Sequence, residues 1–203
     1  MADLDKNIKR KYSISEYDPN WVNQFESIKD LLTEVFGNKA IKIEHVGSTS
    51  IPGMKAKPLI DVLVVVEKMQ DLSQEKERMV SAGYEWGADY IGPNTLLFFK
   101  LGPNGEKLEN IHVCEKDAPK TRQFLVMRDF FRAHPEKAKQ YSDLKEVNSK
   151  IHPEDYPAYR AANPLFWHKW KKKPTNGRNQ NNSWRPKCLS LVFDIIQNCP
   201  YGH

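Results

Sequence analysis

The run Leu59-Ile60-Asp61-Val62-Leu63-Val64-Val65-Val66 constrains this chain more than any other stretch. Seven of its eight residues are apolar and five are β-branched, the pattern of a strand buried on both faces. An ionised carboxylate inside such a strand is costly unless something pairs with it. Asp61 therefore needs a metal ion, a basic side chain or backbone donors. Eight residues before it ends the segment His45-Val46-Gly47-Ser48-Thr49-Ser50-Ile51-Pro52-Gly53. Glycine and hydroxyl residues leaving a strand can aim backbone N–H groups at an anion, which points to a phosphate site with a cation beside it. The structural alternative is that Lys55 or Lys57 simply neutralises Asp61, since glycine-serine turns also occur where no phosphate binds.

The remainder of the chain bounds the reading. At 203 residues it suits one substantial domain with a tail. No stretch approaches the roughly 20 apolar residues of a membrane span, and Met1 to Lys11 is charged where a secretory signal would be apolar. A soluble, cytosolic protein is expected. Cys114, Cys188 and Cys199 lack CxxC spacing, so neither a zinc knuckle nor a disulfide framework is supported. The net charge of +5 is unevenly placed: residues 1–170 hold 25 basic and 25 acidic residues, whereas 171–203 hold six basic and one acidic. Basicity belongs to the tail, which divides the chain into a body, 1–170, and a basic, low-complexity segment, 171–203.

Along the body, Lys9 to Tyr17 alternates loosely as a strand would. Asp18-Pro19 then sets a helix start, with Trp21, Phe25, Ile28, Leu32 and Phe36 at helical spacing up to Gly37. Ile41 to Val46 predicts a strand. Asp71 caps a helix running to about Ala82, which Gly83 stops. Tyr84 to Tyr90, Thr95 to Leu101 and Leu108 to Cys114 predict a meander, the last two joined by the turn Gly102-Pro103-Asn104-Gly105. From Asp117 the pattern is helical, with breaks at Pro135, Pro153 and Pro164.

On its strand Asp61 shares a face with Leu59, Leu63 and Val65. Nucleotidyl-transferring enzymes commonly carry two carboxylates two residues apart on one strand, so that two magnesium ions can be bridged. Leu63 occupies the second position and binds no metal. Further candidates come from Leu108 to Cys114, the expected neighbouring strand: His112 as base or second ligand, and Glu109 as a further metal ligand. His112 reads equally as a hydrogen-bonded histidine within a sheet, and His45, on a face with Ile41 and Ile43, as packing. Arg128 and Arg132, four apart on one helix, either clamp a phosphate or form an ionic network with Asp129 or Glu136.

Tyr17-Asp18-Pro19-Asn20-Trp21, Glu44 through Gly53, Lys57-Pro58-Leu59-Ile60-Asp61, Asn110-Ile111-His112-Val113 and Arg128-Asp129-Phe130-Phe131-Arg132-Ala133-His134-Pro135 together strongly resemble the GrpB family, over about residues 12–150. The resemblance implies an α/β fold of the α+β kind, the nucleotidyltransferase fold of the polymerase-beta type: a mixed β-sheet flanked by helices, with C-terminal helices. Gly47 and Ser48 match the turn that holds a nucleotide's phosphates, and Asp61 matches the first metal-binding carboxylate. Leu63 departs from the second. Some family members are fused to dephospho-coenzyme A kinase, which implies nucleotide or coenzyme A metabolism and a partner enzyme of that pathway.

Three readings follow. In the first, a nucleotidyltransferase-like protein binds a nucleoside triphosphate or related phosphate ligand through Gly47, Ser48, Thr49, Ser50, Lys57, Arg128 and Arg132. Asp61 then holds magnesium, and Asp61 and His112 carry the chemistry. In the second, the phosphate cradle persists as a binding module without catalysis. The third, nucleic-acid binding through the tail near Trp167, Trp170 and Trp184, is disfavoured because the tail lacks regular aromatic interleaving.

Overall fold

A computed structural model describes residues 13–69, 72–87, 94–153 and 155–162. The expected first helix is α1, Asn20–Phe36. The Asp18 carboxylate accepts a hydrogen bond from the Asn20 N–H at 2.9 Å, and the first turn closes tightly through Trp21 N–H to Asp18 C=O. That tight turn moves the helix start one residue beyond Pro19. Strand β1, Ala40–Val46, leads through a short 3-10 turn at Ser48–Ser50 and a loop to β2, Ile60–Val66. Helix α2, Ser73–Ser81, follows, and Gly83 at φ +86° ends it, with Tyr84 N–H reaching back to Met79 C=O and Gly83 N–H to Val80 C=O. The expected cap, Asp71, lies outside the described residues.

Three more strands complete the sheet: β3, Glu85–Trp86, β4, Thr95–Leu101, and β5, Lys107–Glu115. Their antiparallel meander is as expected, although β3 is only two residues long and the remainder of the anticipated strand falls mostly in 88–93, outside the described residues. The anticipated Lys9 to Tyr17 strand reduces, where described, to a single bridge between Ser15 and Ala56. Among the described residues the strand order is β1-β2-β5-β4-β3, with β1 antiparallel and β5 parallel to β2. Helices α3, Pro119–Ala133, α4, Pro135–Ile151, and α5, Tyr156–Ala162, close the body. Pro135 breaks the helical run as expected and also serves as the first residue of α4. Pro164 lies outside the described residues.

Strand alternation sorts the side chains into two layers. Val62, Val64, Ile111 and Val113 pack under Trp21, Phe25, Ile28 and Leu32 of α1 and Met79 of α2. On the other face Val46, Leu63, Val65 and Cys114 pack with Phe124 and Leu125 of α3. A third cluster ties Ile51 and Met54, in the loop after the turn, to Phe131 of α3 and Ala138 of α4. The result is an α+β fold, a mixed sheet flanked by helices, with the glycine-serine turn beside the acidic strand as the resemblance implies. No helix among the described residues is long and apolar enough to cross a membrane.

Candidate phosphate site

Gly47 leaves β1 with φ +72°, a region that favours glycine. Space makes a second demand. A Cβ at Gly47 would stand 2.5 Å from the Asp61 Oδ2, so the backbone of the turn lies directly against the carboxylate. Behind it the turn is tightly tied: Ser50 Oγ donates to Gly47 C=O at 2.7 Å, and Thr49 Oγ1 donates to Leu59 C=O at 3.2 Å. Because the one Thr49 hydroxyl proton is thus used, His45 Nε2 donates to Thr49 Oγ1 across 3.1 Å. His45 is buried and stacked on Phe25, and burial lowers its pKa to about 4, keeping the ring neutral. Thr49 and Ser50, both expected phosphate contacts, are buried with their hydroxyls bonded to Leu59 C=O and Gly47 C=O, while Ser48 stays half-buried.

Asp61 keeps a partly open side chain, 24% exposed. Its Oδ1 accepts from Asn110 Nδ2 at 2.9 Å and bonds His112 Nε2 at 3.3 Å, because the parallel register sets Asn110 opposite Asp61 and His112 two residues on, along the same face. Burial by itself would raise the Asp61 carboxyl. The hydrogen bond and charge of His112, the Asn110 amide and the charge of Lys57 outweigh it and hold the group below its usual value. Neither lysine weighed as a structural neutraliser pairs with it. Lys55 bridges Glu16 and Glu146, each at 2.7 Å, and Lys57 donates to the Tyr156 hydroxyl at 2.9 Å while lying over that ring. His112 serves Asp61 with one ring nitrogen, and its other, Nδ1, is buried beside Phe124 without a hydrogen-bond partner among the described residues, so the ring positions the carboxylate.

One residue of the site escapes sequence reasoning. Lys145 on α4 is only 4% exposed, and its Nζ donates to Ser48 Oγ at 2.9 Å and to Lys55 C=O. It forms no ion pair among the described residues. Desolvation, aided by the charge of Lys57, lowers its pKa to about 7. The available signal was its place in the buried stripe Ala138, Ser142, Lys145 and Asn148.

The arginine pair does not stand free for a ligand. Arg132 presents Nε and Nη2 to Ser50 C=O at 3.0 and 2.8 Å, and Arg128 bonds Glu44 and Asp129, each at 2.8 Å. Arg132 thus braces the turn, and Arg128 forms an ionic network with Glu44 and Asp129, because α3 packs over β1 and the turn, whose acceptors lie within reach of its arginines. Glu109, anticipated as a metal ligand, lies on the opposite face of β5, opposite Ile60 in register, where it accepts a short hydrogen bond from the Tyr84 hydroxyl. Strand alternation alone removes it from Asp61.

These residues do not fit the two-magnesium centre of a nucleotidyl-transferring enzyme. Leu63, at the second carboxylate position, is fully buried in the apolar layer against α3, and Asn110 and His112 both bond one oxygen of Asp61. Among the described residues no cluster of three or more His, Cys, Asp or Glu is placed to hold a metal ion.

Residues 11–173 match the family described as GrpB protein. The Bacillus subtilis UPF0157 protein YqkA is 38% identical over 151 residues, covering 74% of this chain and 43% of that protein, so this chain spans less than half of that relative. A Mycolicibacterium paratuberculosis dephospho-CoA kinase is 25% identical over 167 residues, covering 71% of this chain and 41% of that enzyme. The crystal structure of the conserved protein GrpB from Enterococcus faecalis superposes with a TM-score of 0.68 at 28% identity, over 79% of this chain and all of that one. Likeness to the Cid1 poly(U) polymerase with MgGTP bound is lower, at a TM-score of 0.48 and 11% identity over 96% of this chain and 72% of that one, too low to bear on function.

Proposed function

The chain belongs to the GrpB family, and from that footing we propose that it is a nucleotidyltransferase-like protein that binds a nucleoside triphosphate or a related phosphate ligand at the Gly47–Ser48 turn. One observation carries this: the turn is pressed so closely on Asp61 that only glycine fits, and the Ser48 hydroxyl beside it is met by a buried lysine that pairs with no acid among the described residues. A buried ammonium without a counter-charge is a poor structural element. It makes sense where an anion arrives. Ser48 and Lys145 then donate to phosphate oxygens, Lys57 adds charge at the rim, and Asp61 marks the edge of the site where a divalent ion travelling with the phosphates would meet one protein carboxylate.

A second reading has its own observation. Leu63, sealed in the apolar layer, favours a binding module that keeps the phosphate cradle without transfer chemistry. The kinship with a dephospho-CoA kinase makes coenzyme A precursors reasonable ligands and an enzyme of that pathway a reasonable partner. Nucleic-acid binding by the tail concerns residues outside those described.

The test is a thermal-shift panel of nucleoside triphosphates and coenzyme A precursors, each with magnesium or with chelator, on the wild type, Asp61→Asn and Gly47→Ala. A ligand at about 100 times its dissociation constant stabilises by roughly 2.7 kcal/mol. The proposal expects such a shift in the wild type, its loss in Gly47→Ala and its weakening in Asp61→Asn. Equal shifts in all three proteins contradict it. Pyrophosphate release during the same incubations would exclude the binding-module reading.

A further inference from the structure

Lys145 has an environment built for an amine rather than an ammonium. An ammonium has three protons to donate; two acceptors are in place, the Ser48 hydroxyl and the Lys55 carbonyl, and both are neutral. The acids around these segments are committed elsewhere: Glu146, next in sequence on α4, bonds Lys55 and Lys150, Glu16 bonds Lys55, and Asp61, against the turn at Gly47, bonds Asn110 and His112. Around Lys145 stand Tyr141 on its own helix, its ring centroid 4.9 Å from Nζ, and Lys57 on the loop, whose charge opposes it. On α5 Tyr156 takes Lys57, and Tyr159 stacks behind Tyr156. Nothing in this set supplies negative charge to the buried nitrogen.

Building on the phosphate-site reading above, we infer that Lys145 makes the site a proton-coupled receptor for a phosphate dianion, taking a proton from solvent onto Nζ as the anion docks at Ser48. The balance is simple. The neutral amine and the dianion enter with one solvent proton, and the complex holds an ammonium against the phosphate with no bond broken. A dianion offers the third proton of Lys145 its missing acceptor and cancels the repulsion from Lys57. The lysine thereby supplies compensation that the leucine at the second carboxylate position denies to a metal pair. Its depressed pKa, about 7, makes the coupling visible at ordinary pH.

The experiment is isothermal titration calorimetry of the full chain with ATP in chelator, at about pH 6 and about pH 8, in buffers differing in ionisation heat, with the proton count taken from the slope. At the lower pH Nζ is already charged and the terminal phosphate, with a second pKa of about 6, gives up about half a proton as it docks as the dianion, so net release is expected. At the higher pH the phosphate is already a dianion and uptake approaches about one proton. In Lys145→Gln, checked for folding by circular dichroism, the uptake disappears and affinity falls about tenfold or more. In Lys57→Gln the amine regains basicity, so uptake at the higher pH shrinks while Lys145 remains in place. ATP bound with no proton uptake at either pH overturns the inference and leaves the phosphate site standing. Absence of ATP binding at both values overturns the site reading itself, and this inference with it.

Discussion

Gly47 and Lys145 each carry a cost to stability that the proposed ligand site explains. At Gly47 an alanine meets two penalties, a positive φ and a Cβ 2.5 Å from the Asp61 carboxylate. Gly47→Ala should therefore destabilise the fold by about 1–3 kcal/mol and displace the turn from Asp61, as chemical denaturation and ligand titration would register. Lys145 acts in the opposite direction. Its folded pKa of about 7 lies below its ordinary 10.5, so between those values the unfolded chain binds more protons and stability rises with pH. Below about 7 both states are charged and the whole cost of burial is carried, at most about 5 kcal/mol from the size of the shift. Lys145→Met should thus raise the thermal midpoint by several degrees near neutral pH, flatten the rise in stability between about pH 7 and 10 and abolish phosphate binding. A lower midpoint would show that the lysine is structural.

At the scale of elements, α3 and α4 build the site from behind. Arg132 grips the Ser50 carbonyl with two N–H groups, a geometry a lysine cannot copy. Arg132→Lys should leave the overall fold intact and loosen the turn, seen as faster amide exchange at Thr49 to Ile51 and weaker ligand binding; unchanged exchange would mean the grip is incidental. This level also shows what sequence makes legible. The buried strand around Asp61, the turn before it, the amphipathic α1 and the β4–β5 hairpin declare themselves through local pattern, because each needs only its own residues and their neighbours. Lys145 meets Ser48 across 97 positions and Arg132 meets Ser50 across 82. In a helix where lysine recurs at 137, 139, 145 and 150, the spacing from Ala138 and Ser142 marks the one that turns inward but says nothing of the partner it meets. That Glu109 lies away from Asp61 is legible in the strand itself: it sits one residue from Asn110, so alternation sends it to the other face.

For the whole molecule, the mixed sheet brings two strands distant in sequence into one register, and that register sets Asn110 and His112 beside Asp61. Two helical layers enclose it, and the proposed phosphate site occupies the end of β1 and the beginning of β2, where the turn emerges. The family likeness extends over residues 11–173, the same span that carries the sheet and the helices around the site. The most direct measurement of the central claim is a crystal structure of the full chain with a non-hydrolysable nucleoside triphosphate. Phosphate density within hydrogen-bonding distance of the Ser48 hydroxyl and Lys145 Nζ, against the Gly47 backbone, is the result this account predicts. Density seated elsewhere, with Lys145 still bonded only to Ser48 and the Lys55 carbonyl, would contradict it.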